Sequence, residues 1–162
     1  MSYSKFRKDL SQYDEVQPEH HISILNIGWI DREISYPTGK FSSELTEKIK
    51  RLIINSETSS FQPIVWRSRG QDRCPICDLR DLVLKDEMNV EMLGSSELLI
   101  PSNLKNNLYF ISPSLIYHFI LQHNYLPPYQ FIDSVMAIDE NSKFEGEKIY
   151  MSAQGLEDFL EL

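Results

Sequence analysis

Two cysteines and two histidines are the residues of this chain whose types and spacing are best suited to chemistry. Cys74 and Cys77 enclose a two-residue turn, and His118 and His123 lie together further along the chain. A C-x₂-C turn brings two sulfurs within reach of one ion, and two imidazoles complete a tetrahedral set of borderline-soft ligands that suits Zn²⁺. We therefore predict one structural zinc ion bound by Cys74, Cys77, His118 and His123.

A regular helix cannot by itself direct both histidines at one ion. Residues five apart on an ideal helix point in directions that differ by about 140°. The residues after His123 lead into Pro127, which favours an early helix end. We therefore expect the last helical turn to loosen, or the helix to stop before His123.

Three other interpretations of these residues stay open on the sequence alone. The site could contain both cysteines and one histidine, with His20, His21 or an acidic residue as the substitute. The cysteines could be small buried apolar residues, and His118 a hydrogen-bonded core histidine. The segment Cys74-Pro-Ile-Cys77 also has the form of a redox dithiol. Such motifs need a strand directly before and a helix directly after, and neither is indicated here.

The elements that must position the ligands are a knuckle, a hairpin and a helix within residues 74–123. Two apolar runs, 98–100 and 108–111, indicate the strands of a hairpin. Ser112 and Pro113 have the types expected at the cap and the first position of the helix that carries the histidines. The order of the three elements is that of a zinc finger, with a much longer spacer.

The rest of the chain predicts further short elements. They are a central strand over 22–30, a helix over 43–54, an edge strand over 61–66, a helix starting at Pro128, a short strand over 148–151, and a closing helix capped by Ser152 that packs Leu156, Phe159 and Leu160. Residues 79–92 fit a helical turn or a strand. We predict a single domain, 1–162, with an extended lead-in over 1–20. Its fold class is α+β, a small antiparallel sheet with three or four helices and the structural zinc site.

The composition is that of a globular protein with an acidic surface. Hydrophobic residues make up 41% of the 162 residues and charged residues 25%, which excludes a globally disordered chain. The 24 acidic and 16 basic residues give a formal charge of −8, a field that repels nucleic acid and anionic membranes. No apolar run has the length of a signal peptide or a membrane span. We therefore expect a cytoplasmic protein without a membrane partner.

One cluster of basic residues runs against this overall charge. Arg67, Arg69 and Arg73, with Trp66 and Arg80, could form a basic-aromatic patch for single-stranded nucleic acid. Neighbouring acidic residues favour ion pairing instead. We do not expect nucleic acid to be the partner.

Three common motifs of hydrolases and nucleotide-binding enzymes are missing from the chain. It has no phosphate-binding loop, no nucleophile elbow and no dinucleotide fingerprint. We expect a non-enzymatic, zinc-stabilised protein-interaction module, such as an acidic cognate inhibitor. The alternatives are a nucleic-acid-binding zinc domain, and a thiol-disulfide or metal-dependent enzyme. The sequence predicts no oligomeric state.

Several short motifs resemble those of a family of small bacterial proteins. They lie at residues 26–31, 36–39, 74–77, 94–97 and 112–133. In the last of them the chain reads S-P-S-L-I-Y-H-F-x₃-H-x-Y-x-P-P-x-x-F. The resemblance covers roughly residues 22–136. It implies that the two cysteines and two histidines belong together and that the protein is bacterial, and it supplies no activity.

Overall fold

The chain forms a mixed α+β structure of short strands and helices. The computed structural model describes residues 6–13, 21–40, 42–68 and 70–155. In chain order the elements in this part are β1 (Ser23–Asn26), α1 (Ser43–Ile54), β2 (Phe61–Gln62), β3 (Ile64–Val65), β4 (Val83–Lys85), β5 (Val90–Met92), β6 (Glu97–Pro101), β7 (Leu108–Pro113), α2 (Ile116–His123), α3 (Tyr129–Ala137), β8 (Phe144–Glu145) and α4 (Gly146–Ala153). The predicted α+β class and helix number are thus confirmed for the described residues.

The largest sheet has four strands in the order β1-β7-β6-β3. The predicted hairpin is confirmed: β6 and β7 are antiparallel, with Leu99 opposite Ile111. The predicted edge strand over 61–66 is divided in two: β3 lies at the edge of this sheet, antiparallel to β6, whereas β2 pairs with β8 in a separate sheet. However, β1 pairs with β7 in parallel, so the sheet is mixed and the predicted antiparallel sheet is confirmed only in part. Parallel strands need a long crossover connection, and the one between β1 and β7 includes α1.

β1 is a terminal strand of the four-stranded sheet, whereas its apolar residues predict a central position. Its outer edge is nevertheless covered, because the N-terminal segment pairs with it. The Tyr13 amide donates to the Ile24 carbonyl at 2.8 Å, and the Leu10 amide to the Asn26 carbonyl at 2.7 Å. Both edges of β1 are therefore paired, one with β7 and the other with residues of the N-terminal segment. Of the predicted lead-in, residues 1–5 and 14–20 lie outside the described residues.

The two faces of the β6–β7 hairpin bury two separate apolar clusters. Ile100 and its cross-strand partner Phe110 lie in the larger cluster, which also contains the apolar sides of α1, α2 and α3. Leu99 and Ile111 point to the other face and pack with Tyr150 of α4. This alternation with period two is what places helices on both sides of the sheet. None of the helices in the described residues is long and apolar enough to cross a bilayer.

The helix that carries the histidines begins later than predicted. Pro113 is the last residue of β7, and α2 starts at Ile116. Proline is tolerated at a strand end, where it need not donate a ladder hydrogen bond. The following amide, that of Ser114, donates to the Ser96 carbonyl at 3.0 Å and extends the pairing of the strand. The S-P-S segment therefore ends a strand and does not cap a helix.

The C-terminal prediction is wrong in its described part. Residues 148–151 form no strand but lie within α4, where Tyr150 and Ala153 are buried against the sheet. Burial on one face of the sheet outweighs the strand preference of isoleucine and tyrosine. Ser152 lies within this helix. The predicted packing of Leu156, Phe159 and Leu160 falls outside the described residues.

Residues 79–92, which the sequence left ambiguous, contain a two-stranded ribbon. β4 and β5 pair in antiparallel direction, with Val83 opposite Met92 and Lys85 opposite Val90. The ribbon is a sheet of its own, separate from the four-stranded sheet. It follows directly on the turn that carries Cys74 and Cys77.

Candidate metal centre

The turn from Cys74 to Cys77 is a compact knuckle that directs backbone amides at a sulfur. The Ile76 amide donates to Cys74 Sγ at 3.4 Å, and the amide of Cys77 also bonds this sulfur. The Asp78 amide then closes the turn on the Cys74 carbonyl at 2.9 Å. Asp78 has a φ of 60°, the left-handed conformation that reverses the chain after the second cysteine. These amide bonds stabilise a thiolate at Cys74.

Arg32, which is distant in sequence, stabilises the knuckle by hydrogen bonds and an ion pair. Its Nε donates to the Pro75 carbonyl at 3.2 Å, and its Nη2 to the Ile76 carbonyl at 3.4 Å. The same guanidinium forms an ion pair with Asp78. Arg32, which directly follows the G-W-I-D motif at residues 28–31, thus satisfies two carbonyls of the tight turn.

The last turn of α2 is widened, and this brings the two histidines together. The Phe119 carbonyl accepts hydrogen bonds from the amides of both Asn124 and Tyr125. A bond from residue i to i−5 is that of a π-type turn and is wider than an α-helical one. Asn124 then adopts a φ of 53° and ends the helix. The rings of His118 and His123 consequently lie 5.0 Å apart between centroids, so the expected loosening is confirmed.

A segment between β1 and α1 holds the helix end in place. The Gly39 amide donates to the Asn124 carbonyl at 3.0 Å, and the Leu126 amide donates to the Pro37 carbonyl at 2.9 Å. The hydroxyl of Tyr36 reaches the His123 carbonyl. The Y-P-T-G motif at 36–39 therefore acts on the position of the second histidine.

Tyr125 anchors the same helix end in the core. Its ring is fully buried, and its hydroxyl donates to Asp9 Oδ2 at 2.7 Å. The other oxygen of Asp9 accepts the amide of Gly28 at 2.9 Å. Gly28 has a φ of 78°, and a Cβ here would lie 3.1 Å from Ile116 Cδ1, so a side chain would be strained and crowded. The glycine of the G-W-I-D motif thus permits close packing against the start of α2.

The four predicted ligands meet at one point. Cys74 Sγ lies 3.4 Å from His123 Nε2, and Cys77 Sγ lies 3.4 Å from His118 Nε2. The four donor atoms all lie within 4.8 Å of one another, a spacing that could hold a metal ion. Among the described residues no other group of three or more histidine, cysteine or acidic side chains does so. His21 does not belong to this group, and His20 lies outside the described residues.

Burial sets the protonation of the cluster. Burial lowers the pKa of both imidazoles, and the charge of His123 lowers the pKa of His118 further. The neutral imidazole that this favours is the form that binds a metal. Burial raises the pKa of the Cys74 thiol, against the opposing effect of the knuckle amides. A metal ion that bound here would displace the thiol proton into solvent.

The predicted basic patch is not brought together in the same way. Arg67 pairs with Glu91 at 2.5 Å and with Glu57 at 3.4 Å, so its charge is matched by two carboxylates. Arg69 lies outside the described residues. Arg73 lies apart from these pairs, on the wall of a cleft of about 690 Å³ beside the knuckle. The sequence indicated neither this cleft nor the part that Arg32 plays, because both depend on residues far apart in the chain.

The fold and the cluster define a small α+β protein with a Cys₂His₂ group able to hold a metal ion. The sequence model of the family described as "Domain of unknown function (DUF7919)" matches residues 5–136. The chain belongs to this family, and all four cluster residues lie in the matched part. No curated protein and no solved structure matches the chain.

Proposed function

We propose that Cys74, Cys77, His118 and His123 bind one Zn²⁺ in a closed tetrahedral site, and that the protein is a non-enzymatic interaction module stabilised by this ion. The single observation that carries the proposal is the spacing of the donor atoms. Zinc bonds to sulfur and nitrogen at tetrahedral angles place the two ligand atoms about 3.5 Å apart. Both sulfur–nitrogen pairs lie at 3.4 Å, close to that value.

The donor set favours zinc over other metals. Two thiolates and two neutral imidazoles are borderline-soft ligands, whereas magnesium and calcium prefer oxygen. The two negative sulfurs would neutralise the charge of a divalent ion. Neutrality matters here because Cys74 and His118 are buried and an unbalanced charge would be costly there.

Four protein ligands favour a structural role over a catalytic one. Catalytic zinc keeps a coordination position for water or substrate, whereas a full set of protein ligands leaves none. The ion would join the knuckle to α2 and so connect two segments that are distant in sequence. Its binding free energy would then be free energy of folding.

The dithiol alternative has less support. A redox-active cysteine at the start of a C-x₂-C motif has a depressed pKa, usually at a helix N-terminus. Here burial raises the pKa of Cys74, and the knuckle leads to strand β4 and not to a helix.

A protein is the partner that the charges favour. The formal charge of −8 opposes binding to nucleic acid, and Arg67 is already paired with two acidic residues. The reduced thiols that zinc requires suit a compartment that keeps cysteines reduced, which supports a cytoplasmic location.

Elemental analysis of the purified protein, combined with thiol titration before and after chelation, tests the metal site. We expect one zinc per chain, and two thiols that react only after a chelator removes the ion. Metal-free protein with two reactive thiols would contradict the proposal and would make the dithiol interpretation the leading one.

A further inference from the structure

The β4–β5 ribbon has one covered face and one open face. Residues opposite each other in an antiparallel pair place their side chains on the same face. Leu84 and its partner Glu91 face inward. Leu84 belongs to the main apolar cluster, and Glu91 pairs with Arg67. The inner face also contacts α1, so it is fully used by the fold.

The outer face is apolar although it is exposed. Val83 and Met92 lie opposite each other and are 44% and 45% exposed. Val90 lies two residues from Met92 on the same face and is 66% exposed. The solvent face of an antiparallel ribbon is normally polar. Three adjacent apolar side chains on this face therefore indicate a surface that binds a partner molecule.

The tip of the ribbon is held rigidly and displays a methionine. The Asp86 carboxylate accepts the amides of Met88 at 2.8 Å and Asn89 at 2.7 Å. The Asp86 amide donates to the Asn89 carbonyl at 3.0 Å and closes the turn. Met88 is nevertheless 89% exposed. Methionine side chains adapt to irregular partner surfaces, and this one adds exposed apolar surface at the tip of the ribbon.

Acidic residues border this strip. Asp81, Asp86 and Glu87 are exposed at its two ends, and Lys85 is the one cation on the outer face. A second copy of this chain would bring the same acidic groups and another formal charge of −8 against them. A segment with lysine or arginine beside its apolar residues would instead be complementary.

We propose that the outer face of the β4–β5 ribbon docks an amphipathic helix of a partner protein, whose apolar stripe is bordered by lysine or arginine. Sheet faces are commonly covered by the apolar stripe of a helix. Here α1 already covers the inner face, and the partner helix supplies the missing outer layer. This inference rests on the proposed function in one respect, that the protein is an interaction module.

The test uses the full chain, with its metal content measured beforehand, and a fluorescent peptide. The probe is an amphipathic peptide of leucine and lysine with leucines at helical spacing, and its control carries glutamate in place of lysine. Val90→Thr and Met92→Thr keep the strand preference and remove apolar surface. We expect anisotropy titration to show binding of the lysine peptide only, weakened about tenfold by the two substitutions together.

The matched control is Leu104→Thr, at an exposed leucine in the turn between β6 and β7, and it should bind as the wild type does. Equal binding of the glutamate peptide, or unchanged binding by the ribbon variant, would overturn the inference. A wild-type dimer that the same substitutions dissociate would assign the face to a second copy instead. Protein that carries zinc but does not bind the peptide would refute this surface and leave the metal site standing. Protein that binds without zinc would refute only the metal site.

Discussion

The hydroxyl of Tyr36 donates a hydrogen bond to the carbonyl oxygen of His123 at 3.2 Å. Tyr36 lies outside the segment that contains the four cluster residues, and so does Arg32, which holds the knuckle. The segment 74–123 is therefore not a self-contained finger. Its two halves are each positioned by the loop between β1 and α1. Arg32 bonds the carbonyls of the turn between the two cysteines, and Tyr36 bonds the carbonyl of the second histidine.

Cys77 offers the most direct genetic test of the metal site, because its side chain is exposed. Replacing an exposed residue changes stability by about 0.5 kcal/mol or less when it has no special role. If Cys77 binds zinc, we expect Cys77→Ser to lose the ion and to destabilise the protein by at least about 3 kcal/mol. Urea unfolding with parallel metal analysis measures both effects.

The control is the unfolding free energy of the wild type measured in the presence of a chelator, which should equal that of the variant. Cys74→Ser is less informative, because Cys74 is fully buried and its replacement is destabilising with or without an ion. If the Cys77→Ser variant, the zinc-free wild type and the zinc-loaded wild type were all equally stable, a structural ion would be ruled out.

Asn124 tests the widened turn of α2. Because its φ is 53°, we expect Asn124→Ala to cost about 1 kcal/mol in unfolding free energy. Asn124→Gly should cost less, since glycine adopts positive φ without strain. The alanine variant should also yield its metal to a competing chelator at a lower chelator concentration, because the turn positions His123. Equal stability and equal metal retention in the two variants would contradict this account of the turn.

The buried carboxyl group of Asp9 should make the unfolding free energy depend on pH in a specific direction. Burial raises its pKa above the ordinary 3.8, although the hydrogen bonds from Gly28 and Tyr125 oppose the shift. The folded state then binds the proton more tightly than the unfolded chain. The contribution of Asp9 to stability therefore falls as pH rises from 3.8 to its folded-state pKa, and is constant above it.

Asp9→Asn removes this titration. We expect the unfolding free energy of the variant, relative to the wild type, to rise across the same pH interval and then level off. Asp9→Ala is the control, because it leaves the buried Tyr125 hydroxyl without its acceptor. It should cost about 1–3 kcal/mol. If the difference in unfolding free energy between Asp9→Asn and the wild type did not vary with pH, the pKa of Asp9 would not be raised in the folded protein.

Lys48 is a buried cation that completes the end of a helix. Its Nζ donates to the carbonyls of Met136 at 2.8 Å and Ile138 at 2.7 Å, at the C-terminus of α3. Lys48→Met keeps the apolar stem but leaves these carbonyls unpaired, so we expect a loss of about 1–3 kcal/mol. Lys50→Met, on the same helix α1 and less buried, should stay within about 0.5 kcal/mol. Thermal and urea unfolding compare the two, and equal losses would argue against the capping role.

The sequence predicted the features that depend on neighbouring residues. The helix predicted over 43–54 is α1, with Leu45, Ile49 and Leu52 on its buried face, and the two apolar runs predicted the β6–β7 hairpin. The cysteines and histidines were grouped correctly because ligand types and spacing carry their own geometric information. Whether zinc occupies the cluster stays a prediction.

Features that depend on distant contacts were beyond the sequence. Nothing local to β1 reveals that it runs parallel to β7, or that residues 7–13 cover its edge. The Pro113 position resembles a helix start, yet pairing with β6 makes it the end of a strand. Residues 148–151 have strand-forming types, but the space between Tyr13 and the sheet is filled by Tyr150 from a helix.

The unequal burial of the cluster gives it an inner and an outer side. Cys74 and His118 are buried, Cys77 is exposed, and His123 lies between these extremes. An ion held by the four residues would be approached from solvent at Cys77. Exchange with a competing ligand would then be sequential, with the outer sulfur leaving first and the buried pair last. The lifetime of the ion in the protein would accordingly be governed by the departure of one surface thiolate, while its equilibrium affinity reflects all four ligands.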